Sequence, residues 1–405
     1  MNKLLTFIAT TSIIAAFCLS GTASGEETSP DANTKEIRLP ENSHLFGSWR
    51  GKLGDQEVMV CIADRHAAYY AVGHYSRITL TLADSSALIW KEGYPAGHQG
   101  IWKLDADNDE AVTGTWSARE GTAPIPIRLN RMRSKEKNLR FCEEIYRELA
   151  SAEPITRGKE QGRYGMRYRE VSVLGDSVSS IEVLGGNDTV SALNKYLRDD
   201  FQNKIVSTFA CQDMNFFETD ENRKIPYTRR VSLFTVNGPW ITLLDRGGGR
   251  CGAEHADNLQ HLTTLELETA QPLKLAEWLV KNDENDHVDE DGRLYSPPEE
   301  LTALLYEFAG KLEKKIRTKE DPDCEAIIDP DPFEPILALS LGDKGIIFST
   351  SYAPATANFC DVWGVEIPFP KLTQFLSPKG KQAIKILQQS KHEKSPGKST
   401  SALRK

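Results

Sequence analysis

The 405-residue chain contains no Cys-x-x-Cys pair, no His-Glu-x-x-His motif, no Gly-x-Ser-x-Gly elbow, no P-loop and no dinucleotide fingerprint. The first absence removes a thioredoxin-like redox motif and a zinc ribbon. The others remove the usual zinc proteases, the common serine hydrolases and the nucleotide-dependent enzymes that these motifs mark. After its first residues the chain has no apolar run of the ~20 residues that a membrane-spanning helix needs. Positive charge is also in deficit: 49 Lys and Arg stand against 58 Asp and Glu, a formal −9. Such a chain is a poor partner for nucleic acid, where neutralising phosphates supplies most of the affinity.

What is present begins with MNKLLTFIATTSIIAAFCLSGTASG. Lys3 precedes an apolar stretch from Leu4 to Leu19, and Gly21-Thr22-Ala23 follow. That is the order of a secretory signal peptide cleaved near Ala23, giving a periplasmic or secreted protein. The stretch is short for an anchor and is diluted by Thr6, Thr10, Thr11 and Ser12. Phe17 stands before Cys18, where a lipobox wants a small residue. Losing residues 1–23 removes Lys3 alone and moves the formal charge from −9 to −10.

Six cysteines remain: Cys61, Cys142, Cys211, Cys251, Cys324 and Cys360. An even number in an exported chain reads as up to three disulfides, with 15 possible connectivities. The preferred pairs are Cys61 with Cys142, Cys211 with Cys251 at the ends of neighbouring strands, and Cys324 with Cys360 around a late hairpin.

The length calls for two domains, and the patterning divides the chain accordingly. Residues 24–43 are a polar, proline-containing lead-in. Residues 44–133 form a series of short strands, SWRGKL, EVMVCIA, RITLTL, ALIWKE, GIWKLD, AVTGTWS and IPIRLN, with turns between them. Even spacing of this kind predicts a small antiparallel β-barrel or sandwich. Three Gly-x-Trp steps, at Gly47/Trp49, Gly100/Trp102 and Gly114/Trp116, suit strands that bend and indoles that fill the interior. So few strands leave room for their own side chains rather than for a ligand cup. Residues 134–160 read as a helical linker with Leu139, Cys142, Ile145, Tyr146 and Leu149 on one side. Residues 161–389 form an α+β domain with a largely antiparallel sheet: paired strands, an amphipathic helix through Val190, Leu193, Leu197 and Phe201, a hairpin turning at Asn237-Gly238, a helix over PEELTALLYEFAGKLEKKI and a hairpin turning at Gly342 to Gly345. Residues 390–405 carry Lys391, Lys394, Lys398, Arg404 and Lys405 against Glu393 and read as a disordered basic tail.

Cys251-Gly252-Ala253-Glu254-His255, LELETAQPLKLAEWL, GIIFSTSYAPATANF and VEIPFPKL resemble a domain of unknown function from bacterial envelope proteins. The similarity is to the extracellular half of a lysozyme-binding anti-sigma factor and to the non-catalytic segment of a peptidoglycan deacetylase. It runs from about Tyr164 to Leu376. In the family the cysteine is followed by Gly-Gly-Ala-His-Pro; here the cysteine, first glycine and histidine match, while Ala253, Glu254 and Ala256 depart. Tyr352, Pro354, Ile367-Pro368-Phe369 and Leu372 match the closing pattern. The small Gly-x-Trp barrel is similar to an envelope domain that sometimes precedes this one. The resemblance implies a wall-related partner, peptidoglycan or a muramidase such as lysozyme.

Glu254, His255, Asp257 and His261 could be read as metal ligands, but zinc requires three or four groups at fixed geometry. The stretch reads instead as a turn at the head of a hairpin, with His255 bonded to the backbone and Cys251 pinning it. Two acidic runs fail as calcium loops. In HVDEDGRLYSPP, His287 and Pro298 occupy the first and closing positions; in DADNDE, after Asp105, Asp107 and Asp109, Glu110 replaces the glycine. The expectation is a non-enzymatic envelope protein without metal or cofactor, with Glu254, His255, Asp257 and Tyr352 as its binding surface. The alternative is an envelope hydrolase centred on Glu254, His255 and Asp257.

Overall fold

The computed structural model describes residues 37–40, 42–63, 66–72, 77–94, 100–106, 108–133, 142–215, 227–249, 257–279, 292–294, 297–317, 337–350 and 364–393. Eight antiparallel strands open it: β1 (Gly47–Leu53), β2 (Gln56–Ile62), β3 (His66–Ala71), β4 (Arg77–Asp84), β5 (Ile89–Tyr94), β6 (Ile101–Ala106), β7 (Ala111–Ser117) and β8 (Ile125–Arg131). Each pairs with the next, and β8 returns to β1, so the barrel is closed. Closure removes the free strand edges that an open sheet of this size would present. The interior is packed around Trp49, Trp90 and Trp102, all fully buried, with Val58, Val60, Leu80 and Leu129.

The sequence showed seven of these strands. The eighth, β3, is HAAYYA, which has no apolar-polar alternation because both of its faces are covered. Ala67 and Tyr69 face the barrel core, while Ala68 and Tyr70 face outward into a second cluster. β2 is buried on both sides in the same way, with Met59 and Cys61 outward.

That outer face is covered by α1 (Glu143–Ala152), whose Ile145, Tyr146, Leu149 and Ala150 are buried. Cys142, just before it, forms a disulfide with Cys61, Cα to Cα 5.6 Å. Charged groups flank the seam: Arg50 Nη1 donates to both carboxylate oxygens of Glu148, and Ser48 Oγ donates to Glu144. The helix is shorter than the linker expected over 134–160. It ends at Ala152, and Thr156 already begins a strand. Leu139 lies outside the described residues.

The second unit is built on a six-stranded sheet. Its strands are β9 (Thr156–Arg163), β10 (Met166–Val173), β11 (Val178–Val183), β12 (Thr228–Asn237), β13 (Trp240–Gly249) and β14 (Asp257–Glu266), in the order β14-β13-β12-β11-β10-β9. Every neighbouring pair is antiparallel except β11 with β12. A parallel pair needs a crossover, and α2 (Asp188–Asn215) supplies it. This helix packs Leu193 and Leu197 on the sheet core and Phe201, Ile205 and Phe209 into the cluster shared with α1 and the barrel.

A smaller sheet, β15 (Leu337–Leu341), β16 (Gly345–Thr350) and β17 (Val365–Pro368), packs with α3 (Glu299–Arg317), α4 (Phe369–Leu372) and α5 (Pro378–Glu393) around Trp240 and Trp278. Buried hydroxyls fasten the two sheets together. Thr242 Oγ1 donates to Leu341 O, Thr264 Oγ1 accepts from Leu341 N, and Ser340 Oγ donates to Leu262 O, each at 2.9 Å. The architecture is α+β, a closed barrel followed by a largely antiparallel α+β unit. α5 continues to Glu393, into the segment expected as a tail from residue 390, and residues 394–405 lie outside the described residues.

Candidate functional site

The hairpin foreseen around residues 250–256 is formed by β13 and β14, in register from Gly249 with Asp257 to Trp240 with Glu266. Of the expected binding surface, Asp257 opens β14, while Glu254, His255 and Tyr352 lie outside the described residues. Cys251, Cys324 and Cys360 lie outside them too, and Cys211 is buried in α2.

The same hairpin carries an ion-pair cluster along its length. Asp245 stands opposite His261 across the strand pair. Its carboxylate accepts from Arg229 Nη2 at 2.5 Å and lies 3.3 Å from Lys204 Nζ, which also pairs with Asp200 one helical turn back. Arg229 further bonds the Tyr227 hydroxyl. The side chains of Lys204, Asp245 and Arg229 are only 9, 13 and 16% exposed, so each charge depends on its partners. Burial, with Asp200 and Asp245 beside it, pushes the Tyr196 phenol up to about 12. His261 is held below the ordinary imidazole value, by loss of hydration first and by Arg293, Lys204 and Arg229 next, with Asp245 opposing them. The cluster fastens α2 to the sheet. Among the described residues no three His, Cys, Asp or Glu side chains converge on a metal position.

A second concentration of polar chemistry lies inside the barrel. Glu92, 7% exposed, accepts hydrogen bonds from Tyr69 Oη (2.8 Å), Trp102 Nε1 (3.2 Å), Trp116 Nε1 (2.8 Å) and Gly100 N (2.9 Å). Burial first, and Glu92 second, raise the Tyr69 phenol well above its usual pKa. Gly100 is what allows the approach: a Cβ there would sit 2.1 Å from Trp116 Nε1 and 2.4 Å from Glu92 Oε2. Two of the Gly-x-Trp steps therefore aim indole N–H groups at one carboxylate. Sequence reasoning passed over Glu92, although it shares the parity of inward-facing Trp90.

The third feature lies at the opposite end of the second sheet from the Gly249–Asp257 pair. β9 and β10 are joined by Tyr164-Gly165, with Arg163 paired to Met166. Both turn residues have positive φ, 54° and 78°. This is the pattern of a type I′ turn, whose first position favours Asn, Asp or Gly. A tyrosine in the left-handed region costs roughly 1–2 kcal/mol. Its neighbour holds it there: the Arg163 guanidinium lies 4.7 Å from the Tyr164 ring centroid, Nη2 donates to the phenol oxygen at 3.0 Å, and Nη1 donates to Leu233 O.

Tyr164 walls two adjoining cavities of about 350 and 270 Å³, which also share Val236 and Gly238. Met166, Val190, Leu193 and Leu267 supply the apolar lining of the larger, with Asn187 and Thr189 from the start of α2. Thr235, Asp343 and Ser390 line the smaller. Gly238, φ 60°, leads the β12–β13 turn, and a Cβ there would press on Ser390 Oγ at 2.6 Å. No residue of this groove was singled out as a site from the sequence, because its walls come from six segments far apart in the chain.

No protein-family model and no curated protein matches the chain. Among solved structures, one of a DUF3298 family member from Bacteroides fragilis NCTC 9343 aligns at 14% identity and TM-score 0.33, covering 59% of this chain and 98% of that one. A DUF3298 family protein from Pseudomonas aeruginosa PAO1 aligns at 12% identity and TM-score 0.27, over 57% of this chain and 97% of its own length.

Proposed function

We propose that the chain is an exported, non-enzymatic protein of the bacterial envelope whose second unit binds a cell-wall component or a wall-active protein such as lysozyme. The observation that carries this reading is the Tyr164 groove. An aromatic side chain is kept in an unfavourable backbone conformation beside a cavity of about 350 Å³, and strain of that kind concentrates at ligand sites. The cavity falls in the size class of small-ligand pockets, about 300–1,000 Å³. Export is supported by the leader at residues 1–23 and by the Cys61–Cys142 disulfide, since such bonds persist in oxidising compartments. A charge of −10 without the leader suits a cationic partner such as lysozyme through encounter electrostatics.

Co-sedimentation of the chain lacking residues 1–23 with purified peptidoglycan sacculi tests the reading, with muropeptide release followed in the same tube. Pelleting without release is the expected result. Release would instead favour the hydrolase centred on Glu254, His255 and Asp257. Failure to pellet, together with failure to retain immobilised lysozyme, would remove both partners.

A further inference from the structure

We infer that the groove walled by Tyr164 and the start of α2 is a carbohydrate site, taking one or two sugar units of a neutral glycan. This names the ligand class for the binding reading above and rests on it. The argument begins with charge. Arg167, at the groove wall, is committed to Glu160 at 2.8 Å. Arg163 is committed to the Tyr164 ring and hydroxyl and to Leu233 O. Asp343 accepts from Thr235 Oγ1 at 2.6 Å. Arg163 is not among the lining residues, and the ionic groups that are, Arg167 and Asp343, already have partners, so the lining favours neither a phosphate nor a carboxylate.

What remains is a partly exposed aromatic ring beside short neutral side chains. Asn187 uses Oδ1 to accept from Val190 N and keeps its amide hydrogens for donation. Ser390 Oγ donates to Ile386 O and keeps lone pairs to accept with. The Tyr164 oxygen accepts from Arg163 and leaves the phenol proton to donate. Donors and acceptors so interleaved with Met166, Val190 and Leu267 match a pyranose, which has apolar C–H faces and a rim of hydroxyls. Two adjoining volumes of about 350 and 270 Å³ fit consecutive units of a chain better than one compact solute. A wall polymer offers such a chain of N-acetylated sugars.

Tyr164→Asn tests this cleanly, because it deletes the ring and installs the Asn-Gly pair that a type I′ turn prefers. The probes are N-acetylglucosamine oligomers of two to four units, titrated by calorimetry into the chain lacking residues 1–23, and sacculi in the pelleting assay. The expected result is oligomer binding by the parent chain, weakened at least tenfold in Tyr164→Asn, with an unfolding midpoint no lower than the parent's. Equal binding by both proteins overturns the site, as does no binding by the parent at millimolar oligomer. If both proteins pellet equally with sacculi while neither binds oligomers, the wall reading stands and the groove assignment falls. If oligomers bind in a Tyr164-dependent way but sacculi do not pellet, the groove assignment stands and the wall reading falls.

Discussion

Replacing Glu92 with glutamine changes one buried oxygen into an amide nitrogen, and the surrounding donors determine what that does. Oε1 accepts from Tyr69, Trp102 and Trp116, while Oε2 accepts from Gly100 N. Glutamine can keep its oxygen toward the first three, which then places its NH₂ against the Gly100 N–H. That strands a buried donor at a cost of about 1–3 kcal/mol. The three retained bonds also lose charge assistance, about 1 kcal/mol each, offset in part because a buried charge has been removed. The net expectation is a loss of roughly 2–4 kcal/mol. Urea unfolding of parent and variant, followed by tryptophan fluorescence, measures it, since the Trp102 and Trp116 indoles bond the carboxylate. Trp116→Phe removes one of the donors, so the double variant should cost less than the sum of the singles. A loss below about 0.5 kcal/mol for Glu92→Gln, or strict additivity with Trp116→Phe, would show that the carboxylate is not the organising acceptor of the barrel.

Three further outcomes are expected. Cys61→Ser opens a linkage spanning 81 residues, which chain entropy places on the order of 4 kcal/mol; reducing the parent chain should move its urea midpoint as far as the substitution does, and an unmoved midpoint in both would refute the estimate. Asp245→Asn leaves Arg229 largely buried without its counter-charge and Lys204 with Asp200 alone, a loss of about 3–5 kcal/mol; a melting temperature within a degree or two of the parent's would mean that water or other groups satisfy Arg229. Tyr196 has its folded pKa raised to about 12 against about 10 when unfolded. Stability linked to it is therefore complete below pH 10 and declines as pH rises toward 12. Tyr196→Phe should flatten that part of the curve relative to the parent, and identical alkaline slopes would count against the assignment.

Strands with one wet face were legible because alternation survives there, as in RITLTL and IPIRLN. Without that alternation legibility was uneven: β2, also dry on both faces, was read as a strand from EVMVCIA, while β3 and β9 were not. β3 is covered on both sides, and β9, TRGKEQGR, is exposed at every residue, so neither shows a period. The Asn237-Gly238 signal located its hairpin correctly, but the loop is Gly238-Pro239. Asn237 stays in the strand, where its buried side chain donates to Gly342 O at 2.7 Å. The Cys61–Cys142 pair was legible because Cys142 shares the buried side of α1 with Ile145 and Leu149. The Tyr164 groove was not, since local pattern cannot reveal that residues 164, 187, 238, 343 and 390 meet. Its one trace was a Tyr-Gly pair where a turn would favour Asn-Gly.

The cluster joining β2 and β3 to α1 and α2 bears on how such a chain could have been assembled. Met59, Ala68 and Tyr70 are at most 3% exposed, on the outside of the barrel. A break between residues 133 and 142 would leave them as a bare apolar face, a liability in any soluble fragment. The smallest inheritable module at this end is therefore the barrel with its helix attached, stitched by Cys61–Cys142. Any lineage that placed this barrel before a different partner had to carry α1 along, or give the barrel a new outer wall.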